Sequence, residues 1–383
     1  MARAIYLDNA ATTRIDDAVM ETVCACMTVD YGNPASAHFV GIAAEAKVAA
    51  AAKKLAAAVG DPGQERGEIV WTSGGTEADA LGVLGAARAR QKRGQHVILS
   101  ALEHPAVRES AALLAREGWR VTTIEATAAG TLDPDKVAAA VTADTQVIAV
   151  MRVQNELGTV LPVADIARAV RATPAGAEIH IHCDAVQALG KIPVDVHQLG
   201  VDSLAVSAHK IHGPKGAGAL WLSRKARIAP LWAGGGQQRG RRSGTLNVPG
   251  IAGLGVAAEI ATATLGERAT LYGELREMLI AGAQQSGIEW RENGAGSERS
   301  PHIVSLAFHH IPAEPLLHVL ESRGVLVSAG SACAERDRKP SPALTAIGLP
   351  ADWGTLRFSF GRQTTRDDIA AAAEILADAL RSF

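Results

Sequence analysis

Short apolar runs alternate with alanine-rich stretches of helical character between about residue 66 and residue 222. The runs are apolar on both faces, as expected of strands that helices cover on both sides. This alternation predicts an α/β domain with a mainly parallel sheet. The predicted strands are EIVWT, HVILSA, VTTIEA, QVIAVMRV, EIHIHC, DSLAVSA and GALWLS. The predicted helices are 42–59, 77–93, 105–117, 134–141 and 163–172.

The pattern changes after the GTLNVPG turn that begins at residue 244. A long helical stretch from about 250 to 286 precedes the strand-like runs HIVSLAF, VLVSAG and TLRFSFG, a mixture typical of an α+β unit. The length of 383 residues exceeds the size at which one hydrophobic core usually stops growing. We therefore expect a large domain over 15–260 and a smaller one formed by 1–14 and 261–383.

Composition places the chain among globular proteins. Hydrophobic residues make up 48% and charged residues 20%, and no apolar run approaches the roughly 20 residues of a membrane helix. The opening MARAIYLDNAATT lacks the basic and apolar regions of a signal peptide. We therefore expect a cytoplasmic protein with no membrane partner.

The net charge and the spacing of the cysteines argue against several further classes of function. A formal net charge of -2 gives no overall attraction to phosphate backbones, so we expect no direct nucleic-acid partner and a local role for RGRRSG at 239–244. The four cysteines are too scattered for a disulfide framework or a metal site. Three of them fit small buried hydrophobic residues, whereas Cys333 lies in SAGSACAERDRKPSP, a stretch typical of a solvated loop.

Groups suited to an anionic, heteroaromatic ligand follow five of the predicted strands. EIVWT is followed by SGGTE, HVILSA by LEHP, QVIAVMRV by QNE, EIHIHC by DAVQ, and DSLAVSA by HK. In an open parallel sheet, ligands bind beyond the carboxyl ends of the strands. The five termini therefore predict one shared site.

Each of these termini also has a plainer interpretation. The SGGT turn at 73–76 suits a phosphate, or is an ordinary turn between a strand and a helix. Asp184 could pair with a protonated ring nitrogen or cap a helix. Lys210 is placed to form a Schiff base, with Lys215 as the competing lysine. His104 could stack on a ring or simply bond to its neighbours, and Arg357 could bind a substrate carboxylate or form a surface salt bridge.

The ordered set of motifs resembles the NifS-like and IscS-like cysteine desulfurases of the class V aminotransferase group. The resemblance runs almost end to end, and it implies an α/β fold of the pyridoxal-phosphate-dependent transferases (fold type I, aspartate-aminotransferase-like). Such a fold has a large domain with a mainly parallel seven-stranded sheet and a smaller α+β domain. The segments that carry the resemblance are YLDNAATT, YGNPAS, TSGGTEAD, EHPAV, NELGTVLP, CDAVQALGK, SAHKIHGPKG, RSGTLNV, SAGSAC and LRFSFGRQTT.

The resemblance implies pyridoxal 5'-phosphate as the cofactor. Lys210 would carry it through a Schiff base, Asp184 would pair with its ring nitrogen, and Gln187 would contact its ring hydroxyl. His104 would stack on the ring and act in catalysis. Further cofactor contacts are implied at Gly75, Thr76, Asn155, Ser207 and His209.

The same resemblance implies how substrate and subunits are arranged. Thr245 of RSGTL would reach the phosphate in the opposite subunit, which implies a homodimer with shared active sites. Arg357, Asn33 and Asn155 would bind the substrate L-cysteine.

The implied reaction removes sulfur from L-cysteine and leaves alanine and a persulfide on Cys333. The sulfur would pass to an acceptor protein, either an iron–sulfur cluster scaffold or a thiolation enzyme. The charged residues 335–339 depart from the small and hydroxyl residues common in housekeeping members, so the sequence leaves the acceptor open. A selenocysteine lyase or another class V lyase or aminotransferase is an alternative, and so is a non-catalytic sulfur-relay or scaffold protein.

Overall fold

The computed structural model describes residues 4–330 and 341–383. A seven-stranded sheet lies at its centre, and a three-stranded and a two-stranded sheet lie beside it. The strands are β1 Ile5–Tyr6, β2 Gly67–Thr72, β3 His96–Ser100, β4 Arg120–Ile124, β5 Thr145–Ala149, β6 His180–Asp184, β7 Ser203–Ser207, β8 Gly218–Ser223, β9 Trp290–Glu292, β10 Ile303–His309, β11 Val325–Leu326 and β12 Trp353–Ser359.

The large sheet has the order β2-β8-β7-β6-β5-β3-β4. Strands β3 to β7 pair in parallel, and β8 pairs antiparallel with both β2 and β7. Four of its central strands, β3, β5, β6 and β7, are buried along their whole length, because helices cover both faces. The predicted α/β class with a mainly parallel seven-stranded sheet is confirmed.

Helices surround this sheet and continue through the C-terminal third. The α-helices are Asp17–Thr28, Phe39–Ala58, Gly75–Ala80, Ala86–Arg90, Pro105–Arg116, Pro134–Ala139, Val163–Arg171, Val196–Leu199, Val248–Ala263, Leu265–Gln285, Ala313–Ser322, Pro342–Ala346 and Arg366–Arg381. A π-helical turn spans Leu81–Gly85, and short 3₁₀ turns are Gly176–Glu178, Ala208–Lys210 and Gln238–Gly240.

The three-stranded sheet comes from the C-terminal third, and the two-stranded sheet joins the N-terminal segment to that third. β10 lies between β12 and β9 and pairs antiparallel with both, while β1 pairs in parallel with β11. Leu7 packs in an apolar cluster that otherwise comes from residues 272–380, and a separate, larger cluster surrounds the seven-stranded sheet. The expected domain limits, 15–260 against 1–14 with 261–383, remain a prediction.

The prediction of one helical stretch from 250 to 286 is wrong at Thr264. Two helices, Val248–Ala263 and Leu265–Gln285, meet there at a bend of 70°. The Thr264 hydroxyl donates to the Ile260 carbonyl, a bond that commonly bends helices. Within the described ranges no single helix could cross a membrane by length and apolarity, although this bent pair passes that test when taken together.

The π-helical turn at Leu81–Gly85 makes room for a buried histidine. It interrupts the helical run that follows β2, and a Cβ added at Gly82 would overlap the imidazole of His182 on β6. Glycine and the wider π turn thus allow the helix to pass directly over this ring.

Candidate active site

A cavity of about 280 Å³ lies at the carboxyl ends of the large sheet's parallel strands. It gathers side chains from strand ends that are far apart in sequence, as the parallel topology requires. Ten of the predicted site residues line it: Gly75, Thr76, His104, Asn155, Asp184, Gln187, Ser207, His209, Lys210 and Arg357.

Asp184 forms the floor of the cavity at the end of β6. Asp184 is 4% exposed, and its Oδ1 accepts a hydrogen bond from the Val186 amide over 2.8 Å. Burial and the nearby Asp79 carboxyl raise the pKa of Asp184 to about 8. A cation placed against this carboxyl would lower that pKa again, because it stabilises the ionised form. The position therefore suits a protonated ring nitrogen.

Lys210 enters the cavity from the 3₁₀ turn after β7. Its Nζ donates to the carbonyl oxygens of Ala10 and Ala11 over 2.6 and 2.7 Å. These carbonyls belong to the N-terminal segment, which crosses the cavity wall. The competing Lys215 is exposed and does not line this cavity, so the geometry favours Lys210 as the reactive amine.

His104 stands at the cavity wall as the cap of the helix Pro105–Arg116. Its Nδ1 accepts a hydrogen bond from the Ala106 amide over 3.1 Å. Burial, with Lys210 and Arg108 nearby, lowers the pKa of His104 to about 4. The ring is therefore neutral at pH 7 with its proton on Nε2. The bond to Ala106 fits the structural interpretation of His104, and its catalytic role remains a prediction.

One side of the cavity offers donors for a phosphate. The Ser207 hydroxyl is buried and has no hydrogen-bond partner in the described part of the chain. Gly75 and Thr76 begin the helical run after β2, and they line the same recess as Ser207. His209 borders it as well, with Nδ1 3.2 Å from the Thr12 hydroxyl.

The cavity lining also includes Gln187, Asn155 and Arg357. Gln187 is 6% exposed, and its Nε2 donates to the Ala10 carbonyl over 2.9 Å. The Arg357 guanidinium is almost fully buried, and Nη1 donates to the Asn155 carbonyl over 2.9 Å. A surface salt bridge, the plainer interpretation of Arg357, is wrong because its side chain is only 2% exposed.

Two of the predicted residues that the structure describes do not line this cavity. Asn33 and Thr245 are exposed and absent from its lining. Cys333 lies outside the described residues, as do the charged residues 335–339.

The sequence interpretation missed one buried carboxyl in the cavity lining and a second one beside it. Asp79 lines the cavity, and its Oδ1 is 3.1 Å from His182 Nε2. Glu103 accepts bonds from the Ser100 hydroxyl and the Met151 amide over 2.6 and 2.8 Å. The spacing carried a signal for Asp79, because it follows Gly75 by one helical turn and so faces the same way.

The basic cluster RGRRSG has the local role that was expected. Arg242 forms a two-pronged ion pair with Glu77, whose Oε2 also accepts a hydrogen bond from the Ser73 amide over 2.7 Å. Arg241 and Arg239 both pair with Glu68. The arginines thus fasten this loop to β2 and the turn that follows it.

Comparison with known proteins identifies the family. A model of the family "Aminotransferase class-V" matches residues 5–371. The chain belongs to this family. Enzymes of the class-V family, including its cysteine desulfurases, depend on pyridoxal phosphate. The cavity brings together the buried Asp184 carboxyl, the Lys210 amine and the Ser207 hydroxyl, which has no partner among the described residues. These groups fit such a cofactor.

Two full-length relatives of this class-V protein carry the same functional name. The chain is 39% identical over 383 residues to the cysteine desulfurase IscS of Methanosarcina thermophila, covering all of this chain and 93% of the relative. It is 41% identical to the protein of that name from Anaeromyxobacter dehalogenans, over 99% of this chain and 93% of the relative.

Solved structures agree with the fold. A NifS-like protein aligns with a TM-score of 0.91 at 34% identity, covering 99% of this chain and 100% of that one. DndA from Streptomyces lividans aligns with a TM-score of 0.76 at 36% identity, over 92% and 99% of the two chains. The expected class V resemblance and transferase fold are confirmed.

Proposed function

We infer that this protein is a cysteine desulfurase that uses pyridoxal 5'-phosphate to remove sulfur from L-cysteine. The observation that carries this conclusion is the meeting of Lys210, Asp184 and Arg357 around one cavity. These residues offer an amine, an anion for a ring nitrogen and a cation for a carboxylate. Full-length relatives named cysteine desulfurase support the same chemistry.

Each residue has a task that its surroundings support. Lys210 would supply the amine that binds the cofactor, Asp184 would hold the ring-nitrogen proton, and Ser207 would donate to the phosphate. When bound, the cofactor withdraws electrons from the α-carbon of the amino acid. Arg357 orients the substrate carboxylate, and the neutral His104 can accept a proton at the cavity wall.

Cys333 is the proposed sulfur acceptor. Its thiolate attacks the sulfur of L-cysteine, the carbon–sulfur bond breaks, and the β-carbon receives a proton. Cysteine and a protein thiol thereby become alanine and a protein persulfide, with no outside oxidant or reductant. Attack requires the thiolate form, as in thiol–disulfide exchange.

The test is to incubate the purified protein with L-cysteine and a reductant, and to count alanine and sulfide. We expect equal amounts of both from the wild type and neither from Cys333→Ala. Cys24→Ala is the matched control, because Cys24 is also a free cysteine and is exposed. The expected burial is thus wrong for Cys24, although Cys26 and Cys183 are buried. The Cys24→Ala variant should behave as the wild type.

Other outcomes of that assay would favour the alternatives. Alanine formation unchanged in Cys333→Ala, or a keto acid as the main product, would favour another class V lyase or aminotransferase. Turnover of selenocysteine in preference to cysteine would favour a selenocysteine lyase. A purified protein that takes up no cofactor would favour a non-catalytic scaffold.

The protein is further proposed to act as a homodimer that passes sulfur to a scaffold or thiolation enzyme. Large apolar side chains are exposed on one stretch of the N-terminal region, among them Phe39 at 82% and Tyr31 at 69%. Thr245 and Asn33 are exposed outside their own cavity, which suits residues that serve a neighbouring subunit. A cytoplasmic location remains a prediction.

A further inference from the structure

The buried guanidinium of Arg357 is paired with a carboxylate from the N-terminal segment. Nη2 donates to Asp8 Oδ1 over 2.7 Å, while Nη1 donates to the Asn155 carbonyl. Nε is buried and has no hydrogen-bond partner within residues 4–330 and 341–383. An arginine this deeply buried requires an anion nearby, since an uncompensated buried charge costs several kcal/mol.

The backbone around Asp8 is held firmly in place. The Tyr6 hydroxyl donates to the carbonyls of Asp8 and Thr12 over 3.0 and 2.9 Å, and the Ser359 amide donates to the Leu7 carbonyl over 2.7 Å. Burial and the Asp8 carboxylate raise the pKa of Tyr6 to about 12, so this hydroxyl keeps its proton. The Asp8 side chain, 22% exposed, reaches solvent from this fixed backbone.

Asp8 and an incoming carboxylate compete for the same part of the guanidinium. Arginine binds a carboxylate best through two parallel N–H groups. Because Nη1 is already engaged by Asn155, the pair available to a ligand is Nε and Nη2. Nη2 is the atom that Asp8 holds. Two carboxylates at one buried guanidinium would repel each other, and the partly exposed one can turn to water.

We propose that Asp8 is an exchangeable counter-ion, which leaves Arg357 when the carboxylate of an amino-acid ligand binds and returns when that ligand departs. This inference rests on the proposed role of Arg357 in binding the substrate carboxylate. Asp8 neutralises the guanidinium between turnovers. It also weakens the binding of substrate and product alike, because each must displace it.

The test compares two small ligands that differ in charge. Propionate carries the carboxylate without the amine, and propionamide has the same shape without the charge. Calorimetric titration of the cofactor-loaded protein should show propionate binding roughly fivefold or more tightly to Asp8→Asn than to the wild type, since a charged hydrogen-bond competitor is replaced by a weaker neutral one. Propionamide should bind equally to both.

Two variants serve as controls. Asp17→Asn makes the same charge change nearby, at a side chain that is 80% exposed and pairs with Arg14. It should leave propionate binding unchanged. Asp8→Glu keeps the charge and should stay closer to the wild type than Asp8→Asn does. Propionate binding that is equal or weaker in Asp8→Asn would overturn the proposal, because it would mean that Asp8 only orients Arg357.

Loss of Asp8 could also destabilise the fold, and this outcome is informative too. The proposal expects propionate to raise the melting temperature of Asp8→Asn more than that of the wild type. A variant that folds only with propionate supports it, and one that propionate does not rescue contradicts it. If the wild type does not distinguish propionate from propionamide, the role of Arg357 itself fails. The alanine and sulfide assay of the Cys333 variant tests the proposed reaction separately.

Discussion

Buried carboxyls give the site its electrostatic character. Glu103 is 2% exposed, and burial raises its pKa to about 8, even though two hydrogen bonds to its Oε1 act in the opposite direction. Burial also raises the pKa of Asp79 well above its usual value. A region with several such groups favours cationic ligands, because each cation relieves the cost of ionising a carboxyl.

Glu103 should make stability depend on pH. Its pKa in the folded protein is about 8, against 4.5 for an unperturbed Glu, so the folded state holds one more proton between these values. The free energy of unfolding should therefore fall as pH rises from about 4.5 to 8, by at most about 1.4 kcal/mol per pH unit for that proton. Urea titrations of the wild type and Glu103→Gln at pH 5 and pH 8 would measure this fall in the free energy of unfolding.

The substitution should flatten the pH dependence, because it removes the titrating group and keeps a similar shape. Glu109→Gln is the matched control, since Glu109 is exposed on the helix that follows Glu103. An equally steep fall in Glu103→Gln would show that Glu103 is ionised in the folded protein at neutral pH.

At the scale of elements, the π-helical turn at Leu81–Gly85 allows the helical run after β2 to pack against the His182 ring. Gly82→Ala should destabilise the protein by roughly 1–3 kcal/mol, because the added Cβ would overlap the His182 ring in a tightly packed region. Gly273→Ala is the matched control, since nothing lies within 4 Å of a Cβ there and the residue is inside the helix Leu265–Gln285.

The control should stabilise the protein by up to about 1 kcal/mol, as alanine favours helix over glycine. Chemical denaturation of both variants is the measurement. If Gly82→Ala were as stable as the wild type, the helix could pass over His182 without the π turn, and the account of that turn would be wrong.

The sequence predicted those helices and strands that a local pattern of apolar and polar residues marks. The buried strands of the large sheet were visible because predominantly apolar runs of five to eight residues are bounded by polar turns. The helix Asp17–Thr28 and strand β9 Trp290–Glu292 were missed, and VLVSAG forms only the two-residue strand β11. Pairing with distant strands decides such short elements, and the local sequence does not carry that information.

The sequence predicted the strand-end residues of the site but not the groups that hold them in place. Strand-end residues such as Asp184 and Lys210 could be found because parallel strands bring their carboxyl ends together. The partners that hold them could not. The carbonyls of Ala10 and Ala11 and the carboxylate of Asp8 come from a segment some 175 to 350 residues away in sequence, and a backbone carbonyl has no sequence signature.

At the scale of the whole molecule, the exposed apolar side chains near Phe39 predict where two subunits meet. Phe39→Asp should shift the protein from dimer to monomer in sedimentation velocity, because a charge would be buried in an apolar interface. Phe383→Asp is the control: Phe383 is also exposed, at 52%, but lies at the other end of the chain. A wild-type monomer, or a Phe39→Asp dimer, would contradict the proposed interface.

The crossing of the N-terminal segment over the cavity also bears on how the protein is made. Asp8 and Asn9 bond to Arg357 and Ser359, across 349 and 350 positions of the chain. A ribosome therefore completes the whole seven-stranded sheet long before β12 exists. During translation Asp8 has no Arg357 to meet, and β1 has no β11. The wall of the cavity closes only after β12 has been synthesised, so capture of the cofactor in its final setting comes well after synthesis of the large sheet.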